Sequence, residues 1–250
     1  MIFFFTATGN SKFIAERIGA ATDDRLIDIA KCIQDDAFDF SVDDNESVGI
    51  IFPVYFFGLP MIVAEFLSKL KISMKQNTYT YAVMNCGDST GKTEKYLSSF
   101  FHTNAVFGVS TVDNYVLLYK VKDEKIINEH LDKAEREVDE IIKHIMGKNN
   151  GVFNNYKGRF PNILSSLLYS IYKNGRKTKK FSVNERCTGC GICEKVCPRQ
   201  MIKIDDGRPV WSLGRCELCL GCLHRCPEYS INYGKKTSGN GRYLNPRVHF

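Results

Sequence analysis

The placement of the cysteines constrains this chain more than any other feature. Eight of its ten lie between Cys187 and Cys226, in two copies of the spacing C-x2-C-x2-C-x3-C-P. The first copy is Cys187, Cys190, Cys193 and Cys197, followed by Pro198; the second is Cys216, Cys219, Cys222 and Cys226, followed by Pro227. At this spacing three successive thiolates wrap one face of a cubane cluster, while the fourth, carried into the next turn and stopped by proline, faces the other cluster. Cys187, Cys190, Cys193 and Cys226 are therefore expected to hold one [4Fe-4S] cluster, and Cys216, Cys219, Cys222 and Cys197 a second. Gly189, Gly191 and Gly221 let backbone amides approach inorganic sulfur, and Ile192, Val196, Leu218, Leu220 and Leu223 exclude water. Short strands are expected over 181–183, 201–204, 209–211 and 230–233, a twofold repeat of a small unit.

Other uses of cysteine fit less well. Disulfides belong to oxidising compartments, and Met1 to Thr6 has neither a basic region nor a small-residue cleavage site, so the expected compartment is the cytoplasm. Zinc uses C-x2-C pairs but rarely a triple run closed by Cys-Pro. Radical S-adenosylmethionine chemistry calls for C-x3-C-x2-C, which neither copy supplies. The segment resembles bacterial-type two-cluster ferredoxins, and the resemblance implies low-potential one-electron transfer over a domain at 181–234.

The first 147 residues read differently. Strand patterns at 1–5, 25–30, 48–54, 78–85 and 105–121 alternate with helical patterns at 10–21, 60–70, 92–102 and 122–146. This predicts an α/β fold, a doubly wound parallel five-stranded sheet covered on both faces, with ligands bound beyond the carboxyl ends of the strands. After a turn-rich break at 147–155, residues 156–180 carry seven basic residues and no acidic one. They form a basic linker over 148–180 with a short helix expected at 160–172, and residues 235–250 form a tail. Such a helix could touch a membrane surface or a partner, but packing across a domain junction suits its length better.

Charge divides along the same line. Residues 1–150 hold 16 Lys and Arg against 22 Asp and Glu, net −6, whereas 151–250 hold 18 against 6, net +12. Bound clusters add negative charge that the basic half offsets, so the imbalance does not point to nucleic acid. No apolar run approaches the roughly 20 residues of a membrane span. No nucleic acid and no transmembrane segment are expected, the redox partner is unspecified, and a homodimer is compatible with the sequence.

Three loops at strand carboxyl ends carry the ligand chemistry. Thr6, Thr8, Gly9, Asn10 and Ser11 lie in a hydroxyl-rich turn opening a helix, which offers N–H groups and a helix dipole to a phosphate; a simple helix cap is the alternative reading. Pro53 to Pro60 cluster aromatics between two prolines, and residues 85–89 give backbone donors at the same edge. Residues 87–93 imitate a Walker A loop but place three residues between their glycines where that motif needs four. With its three loops the domain resembles flavodoxin. The resemblance implies that Thr6, Thr8, Gly9, Asn10 and Ser11 hold the phosphate of FMN, and that Pro53, Tyr55, Phe56, Asn85, Gly87 and Asp88 line its ring. The third loop lacks an aromatic between Cys86 and Gly91, which leaves one ring face open.

Asn114-Tyr115 and the tail Gly239 to Pro246 extend the likeness over nearly all of the chain. The whole resembles flavodoxin–ferredoxin fusion proteins, ferredoxins with an extended flavodoxin-like amino-terminal region found mainly in anaerobic bacteria. The resemblance implies an iron–sulfur flavoprotein that relays single electrons between two [4Fe-4S] clusters and FMN. The alternatives are an FMN-dependent reductase of a small substrate fed by its own clusters, and a ferredoxin whose flavodoxin-like domain serves only for docking. G-x-G-x-x-G is absent, which argues against a Rossmann nicotinamide site, and the five histidines are scattered, so no catalytic residue is named.

Overall fold

In the computed structural model, residues 1–44, 46–158, 164–235 and 237–250 are described. Strand β1 (Ile2–Phe4) is fully buried. It leads into α1 (Asn10–Thr22), which packs Phe13, Ile14 and Ile18 inward. Strand β2 (Leu26–Asp28) is shorter than the apolar pattern predicts, because the Asp28 carboxylate accepts the Ala30 N–H at 2.8 Å and caps α2 (Ile29–Gln34). There follow β3 (Asp39–Ser41), β4 (Val48–Pro53), α3 (Met61–Lys69), β5 (Lys71–Ser73), β6 (Thr80–Cys86) and α4 (Thr93–Leu97). Strand β7 (Ala105–Ser110), α5 (Glu124–Met146) and β8 (Gly151–Phe153) complete the unit.

The main sheet runs β2-β1-β4-β6-β7-β8, all parallel, and β3 and β5 pair separately. It thus has six strands where the sequence predicted five, and it extends past the boundary expected at 147. The added strand, β8, lies in the turn-rich break, where composition gives no strand signal. Tertiary packing supplies the reason: Phe153 stacks on Phe107 at 5.3 Å. The expected strand over 105–121 stops at Ser110 because the Asp113 carboxylate accepts the Tyr115 N–H and turns the chain. Strand order reverses between β1 and β4, so the loops after these strands flank the crevice of the sheet.

Helix α6 (Leu164–Gly175) answers the helix expected from residue 160, whose first residues lie outside those described. It crosses the junction through buried Tyr169 and Tyr172. The cysteine unit contains β9 (Phe181–Val183), α7 (Ile192–Lys195), β10 (Ile202–Asp205), β11 (Arg208–Trp211), α8 (Gly221–His224) and β12 (Ile231–Tyr233). Strand β9 pairs antiparallel with β12, and β10 with β11, as a twofold repeat requires. The four strands fall within a residue of the predicted positions. Residues 243–250 then return to the first unit, where Val248 joins the core beside α1 and Arg247 pairs with Asp132 and Glu135 on α5.

Candidate functional site

Two cavities of nearly equal size lie in the cysteine unit. One, of about 320 Å³, is lined by Cys187, Cys190, Cys193 and Cys226; the other, of about 330 Å³, by Cys197, Cys216, Cys219 and Cys222. The chain thus brings together both four-cysteine groups expected from the spacing, with the fourth member of each donated by the opposite motif. Apolar side chains close the walls, Ile192, Ile204 and Ile231 around the first and Phe181, Ile202 and Trp211 around the second. Backbone N–H groups of Leu218, Met201 and Ser230 donate to the sulfurs of Cys216, Cys197 and Cys226 at 3.2, 3.3 and 3.4 Å. This donor set suits sulfur that carries charge. Burial pushes the Cys193 and Cys216 thiols up to about 11, so as bare thiols they stay protonated and ionise only when metal displaces the proton. At Cys226 burial acts in the same direction, but hydrogen bonds from the Ser230 side chain and backbone, with those from the backbone of Ile231 and Glu228, together outweigh it and hold the thiol below its usual range.

The two motifs solve one backbone problem with different residues. Gly189 and Gly191 adopt φ of 69° and 76°, and the equivalent positions in the second motif are Leu218 and Leu220, at 53° and 59°. A Cβ at Gly189 would lie 2.6 Å from the Gly207 carbonyl, so that position demands glycine. The two leucines are strained, by about 1–2 kcal/mol each. Their side chains face a third cavity.

That cavity, of about 1040 Å³, lies beyond the carboxyl ends of β4, β6 and β7. Of the residues expected around a flavin, Pro53, Tyr55, Phe56, Asn85, Gly87, Asp88 and Asn10 line it. Phe56 and Phe57 form the centre of a tight turn at φ 51° and 64°, closed by reciprocal backbone hydrogen bonds between Tyr55 and Gly58 at 2.9 and 3.0 Å. Asn-Gly is the usual sequence for such a turn; aromatic residues at both positions accept strain in order to present a ring to the cavity. Phe56 stacks on Tyr172 at 5.4 Å and meets Tyr115 edge-on at 5.2 Å.

Contributors to this cavity that sequence reasoning did not place there include Tyr115, Leu118, Tyr119, Tyr172, Leu218 and Leu220. The aromatic side absent from the third loop is supplied by Tyr115 and Tyr119 after β7 and by Tyr172 of α6. The signals in the sequence were the Asn114-Tyr115 pair and the four-residue spacing of Tyr115 and Tyr119, one turn apart; nothing local pointed to Tyr172. Cys86 also lines the cavity, and burial pushes its thiol up to about 12.

Thr6, Thr8, Gly9 and Ser11 do not line this cavity but form the adjoining loop at the start of α1. Thr8, Gly9, Asn10 and Ser11 are buried. The first N–H of α1 with a helical partner is that of Phe13, bonded to the Gly9 carbonyl at 2.8 Å. Among the described residues the amides of Asn10, Ser11 and Lys12 meet no acceptor. Orphan donors at a helix N-terminus in buried surroundings fit an anion such as a flavin phosphate. The loop side chains, by contrast, are engaged. Thr8 Oγ1 accepts from Asn114 at 2.7 Å, and Asn10 Oδ1 accepts from Tyr243 and Asn245 at 2.6 and 3.1 Å. Gly9, at φ 101°, faces the tail, and a Cβ there would lie 2.7 Å from Val248. In the Walker-like stretch the Lys92 ammonium donates to Ser166 at 2.7 Å.

A buried ionic group joins the two units behind the cavity. The Tyr172 hydroxyl donates to Glu217 at 2.6 Å, and Glu217 also receives Arg199 at 3.0 Å and pairs with Arg176 at 3.8 Å. Arg199 continues to Glu65 on α3.

Comparison with known proteins agrees with this division. The flavodoxin domain family matches residues 1–112, and the 4Fe-4S dicluster domain family matches residues 186–231. The chain is a flavodoxin–ferredoxin fusion. Its two matched domains are of the kinds that hold flavin and iron–sulfur cofactors. Among curated relatives, the hydrogenase-2 operon protein HybA of Escherichia coli O157:H7 and that of Shigella flexneri are each 30% identical over 90 residues. Each alignment covers 30% of this chain and 27% of the relative, so the likeness spans about a quarter of those proteins. No helix among the described residues is long and apolar enough to cross a membrane.

Proposed function

We propose that this protein relays single electrons between two [4Fe-4S] clusters and FMN within one chain. The observation that carries this reading is a shared wall: Leu218, Cys219 and Leu220 of the second motif close the cavity that Tyr55, Phe56 and Asn85 open. When bound, the clusters exchange one electron at a time and the flavin one or two. Cys197, Cys216, Cys219 and Cys222 hold the cluster nearer the flavin, and Cys187, Cys190, Cys193 and Cys226 the outer one. Cys190 is exposed, which suits exchange with an external redox partner. Tyr55, Phe56, Asn85, Gly87 and Asp88 take the ring, while the loop from Thr6 to Ser11 takes the phosphate through its amides. Leu218, Leu220 and Tyr172 keep water out of the space between the centres. Fusion replaces a bimolecular encounter by a fixed geometry.

A second reading, a flavin-dependent reductase fed by its own clusters, draws on Leu118 and Tyr119. These line the cavity yet are 68% and 53% exposed, leaving a route for a small substrate. Anaerobic purification with iron, sulfide and flavin quantified tests the relay. About eight irons and about one FMN per chain are expected. Eight irons without FMN after reconstitution would leave a two-cluster ferredoxin with a flavodoxin-shaped docking domain. Turnover of NADH by the pure protein would contradict the carrier reading.

A further inference from the structure

We infer that Arg225 and His224, which lie between cysteines of the second motif, are positioning residues for the phosphate loop, so that flavin binding and cluster assembly are energetically linked. The inference rests on the reading of residues 6–11 as the loop that takes the flavin phosphate.

Arg225 sits between Cys222 and Cys226, which line different cluster cavities. Its Nε and Nη2 both donate to the Ala7 carbonyl, at 3.1 and 3.0 Å. Because the peptide unit is planar, fixing that carbonyl fixes the opposite direction of the Thr8 N–H. His224 acts on the next residues. Its Nε2 donates to the Asn114 carbonyl at 3.0 Å, and the Asn114 amide in turn donates to Thr8 Oγ1 at 2.7 Å. The other ring nitrogen accepts the Tyr243 N–H at 3.1 Å, and the Tyr243 hydroxyl donates to Asn10 Oδ1 at 2.6 Å. Two neighbouring side chains of the cysteine segment thus hold Ala7, Thr8 and Asn10.

The stretch that carries the second motif has little regular structure of its own, since between β11 and β12 it holds the four-residue α8 and otherwise turns and loops. Its register is set by what the cysteines bind. When iron is absent, Arg225 and His224 lose the constraint that aims them at the loop, and the amides of α1 lose their fixed direction. By reciprocity, a flavin that favours the ordered loop also holds the cysteine segment in place. The ring end of the cavity needs less of this help, because the ends of β4 and β6 and the loops after β4, β6 and β7 carry most of its wall.

Flavin fluorescence titrations of the cluster-loaded chain under anaerobic conditions, with FMN and separately with riboflavin, test this. Arg225→Met is expected to keep its iron, to bind FMN about tenfold more weakly and to bind riboflavin as the wild type does. Arg225→Lys should recover part of the loss. Iron removal by a chelator is expected to weaken FMN in the wild type by a similar factor. FMN affinity unchanged in Arg225→Met and after iron removal would overturn the inference alone, as would equal loss of FMN and riboflavin. If the cluster-loaded wild type binds riboflavin and FMN equally well, the phosphate-loop reading itself falls.

Discussion

Individual residues show where the chain accepts local strain for its site. Leu218 and Leu220 stand where the first motif uses glycine, and both face the flavin cavity. In Leu218→Gly the backbone gains about 1 kcal/mol and loses a comparable burial term. The expected result is an unfolding midpoint near that of wild type, iron content retained and flavin bound several-fold more weakly; a large loss of stability with flavin affinity intact would contradict the assignment. Cys32 and Cys86 offer a second check. Burial raises their thiols to about 11 and about 12, so at neutral to mildly alkaline pH neither is a thiolate. With eight cysteines on iron, the loaded protein should take up no iodoacetamide, labelling rising only as pH approaches those values. Rapid modification of Cys86 would show an open cavity wall. Gly9→Val is a poor probe of the phosphate loop, because it would strike Val248 and Phe250 as well as strain the backbone; Thr8→Ala is cleaner.

At the level of elements, legibility followed the source of each signal. The cysteine spacing is covalent and local, so both four-cysteine groups and the four short strands around them could be read directly. The helices α1, α3 and α5 were equally plain from their apolar faces. Most of what escaped was set by contacts far apart in sequence: β8 depends on Phe107, and the ring wall on Tyr172, more than a hundred residues from Tyr55; the break after Ser110 is local, made by the Asp113 turn inside an apolar run that reads as strand. Flavodoxin-like loops were visible, but the engagement of Thr8 and Asn10 by Asn114, Tyr243 and Asn245 was not, because those partners arrive from a separate loop and from the tail. The ionic group around Glu217 was also hidden. It ties α3 and α6 to the second motif with its carboxylate 1% exposed. Glu217→Ala leaves Arg176 and Arg199 facing each other without their shared anion, and a loss of about 3 kcal/mol in denaturant unfolding of the loaded chain is expected. A change below about 0.5 kcal/mol, the range of ordinary surface substitutions, would mean the group contributes little to docking.

The whole molecule places the two kinds of redox site against each other. Among the described residues the opposite charges of the two halves meet in a few places, Arg199 with Glu65, Arg247 with Asp132 and Glu135, and Lys157 with Glu94. Apolar and aromatic packing around Tyr169, Tyr172 and Leu220 does the rest, so moderate salt should leave the assembly intact, since screening acts mainly on exposed charges. Elution volume and flavin content unchanged between low and high salt would agree; release of flavin by salt would point to an electrostatic interface instead. In the proposed relay, electron transfer occurs within the chain and passes through the cluster of the second motif. Stopped-flow mixing of the loaded protein with a reduced one-electron donor, following flavin absorbance after the clusters are filled, tests it most directly. A flavin phase is expected whose rate does not change with protein concentration and which disappears in Cys219→Ser, while Cys190→Ser slows the preceding filling of the clusters by the donor. A rate proportional to protein concentration, or one unaffected in Cys219→Ser, would contradict it.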